Sequence, residues 1–424
     1  MLEQSERSAW YDQNYAAAQA RQNGQKSRRT LKLVMLIVCA LILIGAMLYA
    51  IFGKPADIYF QVSTPNFSVG NDLPEDFDEF RDYVNKNYTA PETPAQSNLQ
   101  RGETDADITL TLADTADRET LGLQALYKTC ADSIVGIKAM NDGQAAYAWG
   151  SGVIMTEDGY IITNQHIVSE RDSATVILTD GREFEALLIG EDVQTDLAVL
   201  KIEAENLPAA EFGDSDALCV GDEVAAIGNP LGETFSGTMT NGIVSAINRH
   251  MDSNGRRQSL LQTSAAINEG SSGGALINMY GQVIGITNMK MVSYYSPVAV
   301  EGIGFAIPST TVKSVVEQLI AHGKVTGRPG IGITVGAVDA QTAARYGIPE
   351  GLLITAVVKD CDADVKGILV GDVVTHINGQ AVYSTDDVFA IRDKLSPGDT
   401  IKITIYRDGK TFDVPVVLYD QNDH

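Results

Sequence analysis

An all-β body carried behind one apolar helix is the fold class the sequence predicts, on three observations. From about residue 121 the chain breaks into apolar runs of roughly five residues separated by Gly, Asn and Asp, a texture of barrels or sandwiches rather than of alternating strand and helix. Helical stretches in this part are few, namely 310–322 and 384–394. Residues 33–52 are uncharged throughout, the length a helix needs to cross a hydrocarbon core of about 30 Å.

Residues 1–32 carry six bases (Arg7, Arg21, Lys26, Arg28, Arg29, Lys32) against three acids (Glu3, Glu6, Asp12). By the positive-inside rule this tail is cytoplasmic, 33–52 span the membrane, and everything after Gly53 lies outside. No Ala-x-Ala site follows the apolar run, so it is read as an uncleaved anchor rather than a signal peptide. Residues 53–120 read as an acidic extracytoplasmic stalk: they hold 14 acids against five bases, and Pro55, Pro65, Pro74, Pro91 and Pro94 interrupt any sustained helix. Within it the alternation Ile108, Leu110, Leu112 suits a short strand anchored to the neighbouring domain.

The first folded domain is placed at 121–325. Its strand candidates are 133–138, 152–155, 160–163, 174–178, 198–202, 223–227, 242–247, 283–287 and 302–307, and the helix 310–322 closes it. A further domain is placed at 326–420, with strands at 330–335, 352–358, 373–377, 400–406 and 411–417 and a helix at 384–394. Composition restricts the function classes. With 55 acids against 31 bases, a formal charge of −24 repels phosphate backbones and argues against a nucleic-acid partner. The four cysteines, Cys39, Cys130, Cys219 and Cys361, are widely spaced, which argues against a zinc ribbon or a disulfide scaffold.

Three polar segments stand out against this background. Ser272 lies in Glu269, Gly270, Ser271, Ser272, Gly273, Gly274. A nucleophilic serine needs a sharp turn and converging backbone N–H groups, and glycines permit both. His166 directly follows the run 160–163, a place for a general base at a strand end, and Asp196 stands before the run 198–202, where a carboxylate can orient an imidazole. Each residue alone has a bland structural reading; the conjunction is informative.

The order His166, Asp196, Ser272, with the segments 226–232 (AIGNPLG), 240–247 (TNGIVSAI), 261–267 (LQTSAAI) and 302–308 (GIGFAIP), resembles the HtrA family of trypsin-like serine proteases over about residues 121–420. The resemblance implies two six-stranded β-barrels with the active site between them, and His166 as base, Asp196 as its orienter and Ser272 as nucleophile. It also implies an oxyanion hole from Gly270, Ser271 and Ser272. The family pattern has Pro, Asn and Pro where Glu269, Ser271 and Ala275 stand, and an Asp where Ser264 stands. Ala266 occupies the place of the acid in trypsin-like enzymes that cut after bases, so the resemblance implies small aliphatic residues at the cleavage site, with Ala266, Gly302, Ile303 and Gly304 contacting substrate. Residues 326–420 resemble a PDZ domain, in which Gly330, Ile331, Gly332 and Ile333 would receive a peptide carboxylate and the next strand would pair with the peptide.

The expected partners are unfolded or damaged polypeptides, peptide C-termini, the membrane, and two further copies in a homotrimer, at a bacterial cell surface; no cofactor or metal is implied. Two other classes compete. A non-catalytic peptide-binding receptor or chaperone on the same scaffold is favoured by loss of Ser272 or His166, and both are present. A metal-dependent hydrolase needs ligand spacing that His166, His250, His322, His376 and His424 do not provide.

Overall fold

The computed structural model describes residues 76, 77, 79, 81, 82, 86, 95–105, 107–116, 118–142, 147–229, 237–253, 256–288 and 302–421, without the side chains of 250–257. The apolar segment 33–52 and the tail before it lie outside these residues. Among the described residues no helix is long and apolar enough to cross a membrane.

The body opens with β1 (Leu112–Ala113) and α1 (Leu123–Cys130). Six strands then close a barrel in the order β2-β3-β4-β7-β6-β5. They are β2 (Ile134–Met140), β3 (Tyr147–Ile154), β4 (Tyr160–Thr163), β5 (Ser173–Ile177), β6 (Glu183–Asp192) and β7 (Leu197–Ile202), with the one-turn helix α2 (Gln165–Val168) after β4. Alternation explains why these strands read as nearly continuous apolar runs. Val135, Ile137 and Ala139 of β2 and Ala198, Leu200 and Ile202 of β7 fill the barrel, whereas Ile134, Leu197 and Val199 point the other way into a second core. Strand β6 has no counterpart among the runs read from the sequence. Its ends are acidic, but Ala186 and Leu188 face the barrel interior.

The second barrel begins with β8 (Phe212–Gly213) and continues through β9 (Glu223–Gly228), β10 (Thr238–Ser253), β11 (Arg256–Thr263), β12 (Ala275–Asn278), β13 (Val283–Thr287) and β14 (Gly304–Pro308). Pairings β9–β10, β10–β11, β11–β14, β14–β13, β13–β12 and β12–β9 return on themselves and close six strands. The interior holds Val224, Val244, Leu261, Leu276 and Ile284; the opposite faces of the same strands join the core shared with the first barrel. That shared core is completed by α3 (Ser309–His322), whose Val312, Val315, Val316, Leu319 and Ile320 recur at helical spacing on one face. The helix stops at Gly323 in the left-handed conformation (φ 72°), its N–H donating to the Leu319 carbonyl. Gly190 of β6 admits this end, because a Cβ there would lie 2.8 Å from the Gly323 carbonyl oxygen.

Part of the presumed stalk belongs to this body. Leu99 is buried in the first barrel's core and Leu110 in the shared core. The Gly102 N–H donates to the Leu188 carbonyl and the Asp105 N–H to the Ile320 carbonyl. Of the alternating Ile108, Leu110 and Leu112, only Leu112 is in a strand, β1, parallel to β8.

The C-terminal part forms a separate sheet in the order β16-β17-β18-β20-β21, with β19 on β18. Its elements are β15 (Pro329–Gly330), β16 (Ile333–Val338), α4 (Ala340–Tyr346), β17 (Gly351–Val357), α5 (Asp362–Val365), β18 (Val373–Ile377), β19 (Gln380–Ala381), α6 (Thr385–Arg392), β20 (Thr400–Arg407), β21 (Lys410–Val417) and β22 (Tyr419–Asp420). Helix α6 starts in a reciprocal cap: Ser384 Oγ accepts from the Asp387 N–H, and Asp387 Oδ2 accepts from the Ser384 N–H at 2.9 Å. Helix α5 contributes Ala363 to the main core, while α4 contributes Ala343 to a smaller cluster with Leu353 and Val373. The short helices α4 and α5 are additions to the sequence reading. The domain is tied to the barrels where Arg328 Nη1 meets the fully buried Asp192 carboxylate at 2.6 Å.

Candidate active site

The pairing of β4 with β7 sets Thr163 opposite Ala198, which brings the segments after and before these strands together. His166 sits on α2 rather than on the strand end itself. Its Nδ1 lies 2.7 Å from Asp196 Oδ2, and its backbone N–H donates to Asp196 Oδ1 at 2.9 Å. Asp196 grips the same turn through its main chain: its carbonyl accepts from the Asn164 Nδ2 at 2.9 Å and from the Gln165 N–H at 3.1 Å. To face both ways it adopts φ 59°, a conformation Asp tolerates better than most residues. The carboxylate is 4% exposed, so these donors do the work that water does at the surface.

Ser272 lies on the turn between β11 and β12 and is buried; its carbonyl accepts from the Ser151 N–H at 2.8 Å. Gly270 takes φ 88° as the third residue of a tight turn closed by the Ser271 N–H donating to the Asn268 carbonyl at 2.9 Å. This corrects one expectation. The Ser271 amide is spent inside the turn and its carbonyl accepts from the Gly274 N–H and from Thr287 Oγ1 at 2.6 Å, so Ser271 offers no amide to an oxyanion. Gly273 must be glycine: φ is 82°, and a Cβ would stand 2.1 Å from the Ser151 carbonyl oxygen.

Two residues that sequence reasoning missed organise this geometry. Buried Ser151 donates its hydroxyl to the Gly270 carbonyl at 2.7 Å and accepts from the Asn229 N–H at 2.8 Å, pinning the turn to β3 and β9. Asn288, next after β13, donates Nδ2 to Asp196 Oδ2 at 2.9 Å. Its neighbour Thr287 holds the serine turn, through its side chain and through a Gly273 N–H bond to its carbonyl. Consecutive residues thus hold the serine turn and the aspartate. The only sequence signal was a serine between two glycines, Gly150 and Gly152, for Ser151; Asn288 had none.

Ala266 is exposed, its carbonyl accepting from Thr240 Oγ1 at 2.8 Å, between buried Ala265 and Ile267. Gly304 pairs with Thr263, and a Cβ on it would lie 2.8 Å from Ile267 Cδ1. Gly302 (φ 76°) and Ile303 (40% exposed) precede it, so the 302–304 segment runs beside Ala266 with no charged side chain at either place. In the C-terminal domain, β16 is an edge strand. The loop before it is split in role: Gly330 lies opposite Tyr419 in the β15–β22 pair, while Gly332 takes φ 87° with its carbonyl accepting from the Val358 N–H at 2.8 Å. Cys361 Sγ packs on Gly332, where a Cβ would approach within 2.3 Å.

A trypsin-like peptidase domain is matched over residues 150–286 and a PDZ domain over residues 329–418. The chain is 38% identical over 310 residues to the serine protease Do-like HtrA of Lactobacillus helveticus, covering 70% of this chain and 75% of that one. It is 42% identical over 274 residues to a probable periplasmic DegP-like serine endoprotease of Chlamydia trachomatis, covering 63% of this chain and 53% of that one, so it spans about half the length of that relative. Among solved structures, the HtrA-type protease AlgW with decapeptide matches at TM-score 0.58 and 31% identity, over 71% of this chain and 99% of that one. The serine endoprotease from Yersinia pestis matches at TM-score 0.55 and 35% identity, over 71% and 99%. The chain belongs to the HtrA family, as a trypsin-like serine endoprotease with a PDZ domain.

Proposed function

We propose that this endoprotease cleaves unfolded polypeptides outside a bacterial membrane through an acyl-enzyme. His166 takes the Ser272 hydroxyl proton as Oγ bonds to the scissile carbonyl carbon, then delivers it to the departing amine; water, deprotonated by the same imidazole, releases the acyl group. Asp196 holds the imidazole by its Nδ1–H and stabilises the imidazolium. The amides of Gly270 and Ser272 stabilise the tetrahedral oxyanion, and loss of one such donor costs about 2.7–4 kcal/mol of barrier. The observation that carries the reading is the double grip of Asp196 on the His166 turn, with Thr287 and Asn288 tying the serine turn and Asp196 to one strand end.

Ala266 beside the glycines of 302–304 favours small aliphatic residues at the cleavage site. At the PDZ domain, the N–H groups of Ile331, Gly332 and Ile333 receive a peptide carboxylate while the peptide adds to the open edge of β16; Gly330 serves the loop's geometry instead. Residues 33–52 anchor the chain with its N-terminus in the cytoplasm, in keeping with a relative named as periplasmic, and three copies assemble. Two features support assembly and topology tests: Leu123 and Tyr127 of α1 are exposed, and Cys219 is an exposed thiol.

A fluorophosphonate probe distinguishes this reading from a non-catalytic receptor. Wild-type full chain labels and digests casein, whereas Ser272→Ala does neither; equal labelling of both sinks the assignment. A C-terminal peptide binds the PDZ domain and loses binding on amidation of its carboxylate. A membrane-impermeant maleimide labels Cys219 in intact cells, and labelling only after lysis refutes the topology. Native mass measurement checks the trimer.

A further inference from the structure

Residues 76, 77, 79, 81, 82 and 86, expected to be stalk, do not face solvent uniformly. Phe77, Glu79, Arg81, Asp82 and Lys86 have helical backbone; Phe77 and Arg81, four apart and so on one helix face, are half-buried, whereas Asp76, Glu79, Asp82 and Lys86 are exposed. The PDZ domain covers them. Phe77 packs against the cluster of Val338, Ala343, Ile348, Leu353 and Val373, its ring 6.0 Å from that of Tyr346. The stem of Arg81 lies over Gly371, where a Cβ would stand 2.3 Å from Arg81 Cδ, and Arg81 Nη1 donates to Asp408 Oδ1 at 3.5 Å.

Strand parity identifies which face this is. Leu352, Ile354, Val374 and Ile405 enter the main core together with Ile331 and Val335 of the carboxylate loop and β16, whereas Leu353, Val373 and Tyr406 enter the cluster with Phe77. The Phe77 site is therefore on the opposite side of the sheet from the main core. Further along, the chain is held a second time, now on the catalytic barrel. The Ser97 N–H donates to both carboxylate oxygens of Glu191, Arg101 pairs with Glu191 at 3.0 Å, and the Ala95 carbonyl accepts from Gln165 Nε2 at 3.0 Å, directly beside His166.

We propose that the outer face of the PDZ sheet, with Tyr346, Gly371 and Asp408 around the Leu353–Val373 cluster, is a second docking surface whose occupant is the Phe77–Arg81 face of the same chain's N-terminal segment. The N-terminal segment is then a strap held at two points, the PDZ domain and the turn bearing the catalytic base. The eight residues 87–94 reach at most about 30 Å, which limits how far the PDZ domain travels from the barrel while both ends are docked. Because the site lies away from the edge of β16, strap and peptide are bound together.

The test places benzoylphenylalanine at position 77 of the full chain in detergent and maps photo-cross-links by mass spectrometry. Cross-links into residues 338–353 and 370–373, with a yield unchanged by saturating C-terminal peptide, are expected. Tyr346→Ala lowers that yield about tenfold while peptide binding, the control for folding, is retained. Cross-links absent, or falling on the barrel or on residues 385–392, overturn the proposal, as do displacement by the peptide and indifference to Tyr346→Ala.

Discussion

Replacing Asn288 by Ala removes one hydrogen bond from the carboxylate proposed to orient His166 as the base, without touching the proposed triad. Asp196 is 4% exposed, so water cannot readily replace the lost donor on Oδ2, the oxygen that also meets His166 Nδ1. A hydrogen bond to a charged group contributes about 1.5–3 kcal/mol. At 1.36 kcal/mol per decade this predicts a kcat lower by about 10- to 150-fold. A ceiling is set by loss of the orienting carboxylate's proper form, about 10,000-fold in such triads. KM for an unfolded substrate should stay near wild type, because the substitution removes only the Asn288 side chain, which donates to Asp196, and leaves its backbone bond to the Phe305 carbonyl. The assay is steady-state cleavage of a fluorogenic casein, with the fluorophosphonate labelling rate as a measure of nucleophile activation and a thermal melt as the folding control. A folded variant within twofold of wild type in both rates refutes the view that Asn288 fixes the aspartate.

Three further outcomes follow from other parts of the molecule. Arg328→Ala strands the buried Asp192, a loss of about 3–5 kcal/mol for a buried pair, and since Asp192 also accepts from the Thr195 N–H and hydroxyl just before Asp196, both the melting temperature and the labelling rate should fall; an unchanged melt refutes this. The Asp387 carboxyl is held below the ordinary range by the Tyr383 N–H and by the Ser384 hydroxyl and N–H, so its capping of α6 is intact above about pH 4 and is lost as pH falls through the lower folded value. Amide exchange of α6 should accelerate only on that acid side, and Asp387→Ala, which removes the N3 half of the reciprocal cap, should abolish the acid dependence. Burial, with a smaller contribution from Glu211, pushes the Cys130 thiol up to about 11, so iodoacetamide at neutral pH should modify exposed Cys219 long before Cys130; equal rates by peptide mapping refute the buried position.

The legible and illegible parts of the chain differ in what specifies them. His166, Asp196 and Ser272 stand out because each is polar at the boundary of an apolar run, and such boundaries survive in one dimension. The closing of both barrels was implied by the family resemblance, and the β2–β5 and β13–β14 pairings complete it. Strand β6 escaped because its inward residues, Ala186 and Leu188, are flanked by Glu183, Glu185, Glu191 and Asp192, so its ends look like surface. Leu99 escaped for the same reason: it is a single apolar residue in an acidic stretch, and its burial depends on partners such as Leu188 that are distant in sequence, whereas Leu110 was read as an anchor from its alternation with Ile108 and Leu112. The proline-free interval between Pro74 and Pro91 leaves room for the helical residues that carry Phe77 and Arg81. Ser271 was misassigned because the turn's own hydrogen bond, not its composition, decides which amides face inward. Asn288 makes its contact across two barrels, and no local pattern encodes that.

The serine turn shows how a sequence can leave a family pattern and keep its geometry. Where the family has proline, Glu269 is the second residue of the Asn268–Ser271 turn, the position at which proline presets the backbone. Giving up that restraint costs about 0.4–1 kcal/mol through the greater freedom of the unfolded loop. The bond from Ser151 Oγ to the Gly270 carbonyl and that from Thr287 Oγ1 to the Ser271 carbonyl each return about 0.5–1.5 kcal/mol, and both originate outside the loop. The turn is therefore held by the walls of the two barrels more than by its own covalent stiffness. Its shape depends on β3 and β13 keeping their places, and Asn288, next after β13, donates to Asp196. A displacement of that strand end reaches the Ser272 turn and Asp196 together, which makes the two halves of the proposed catalytic apparatus one mechanical unit.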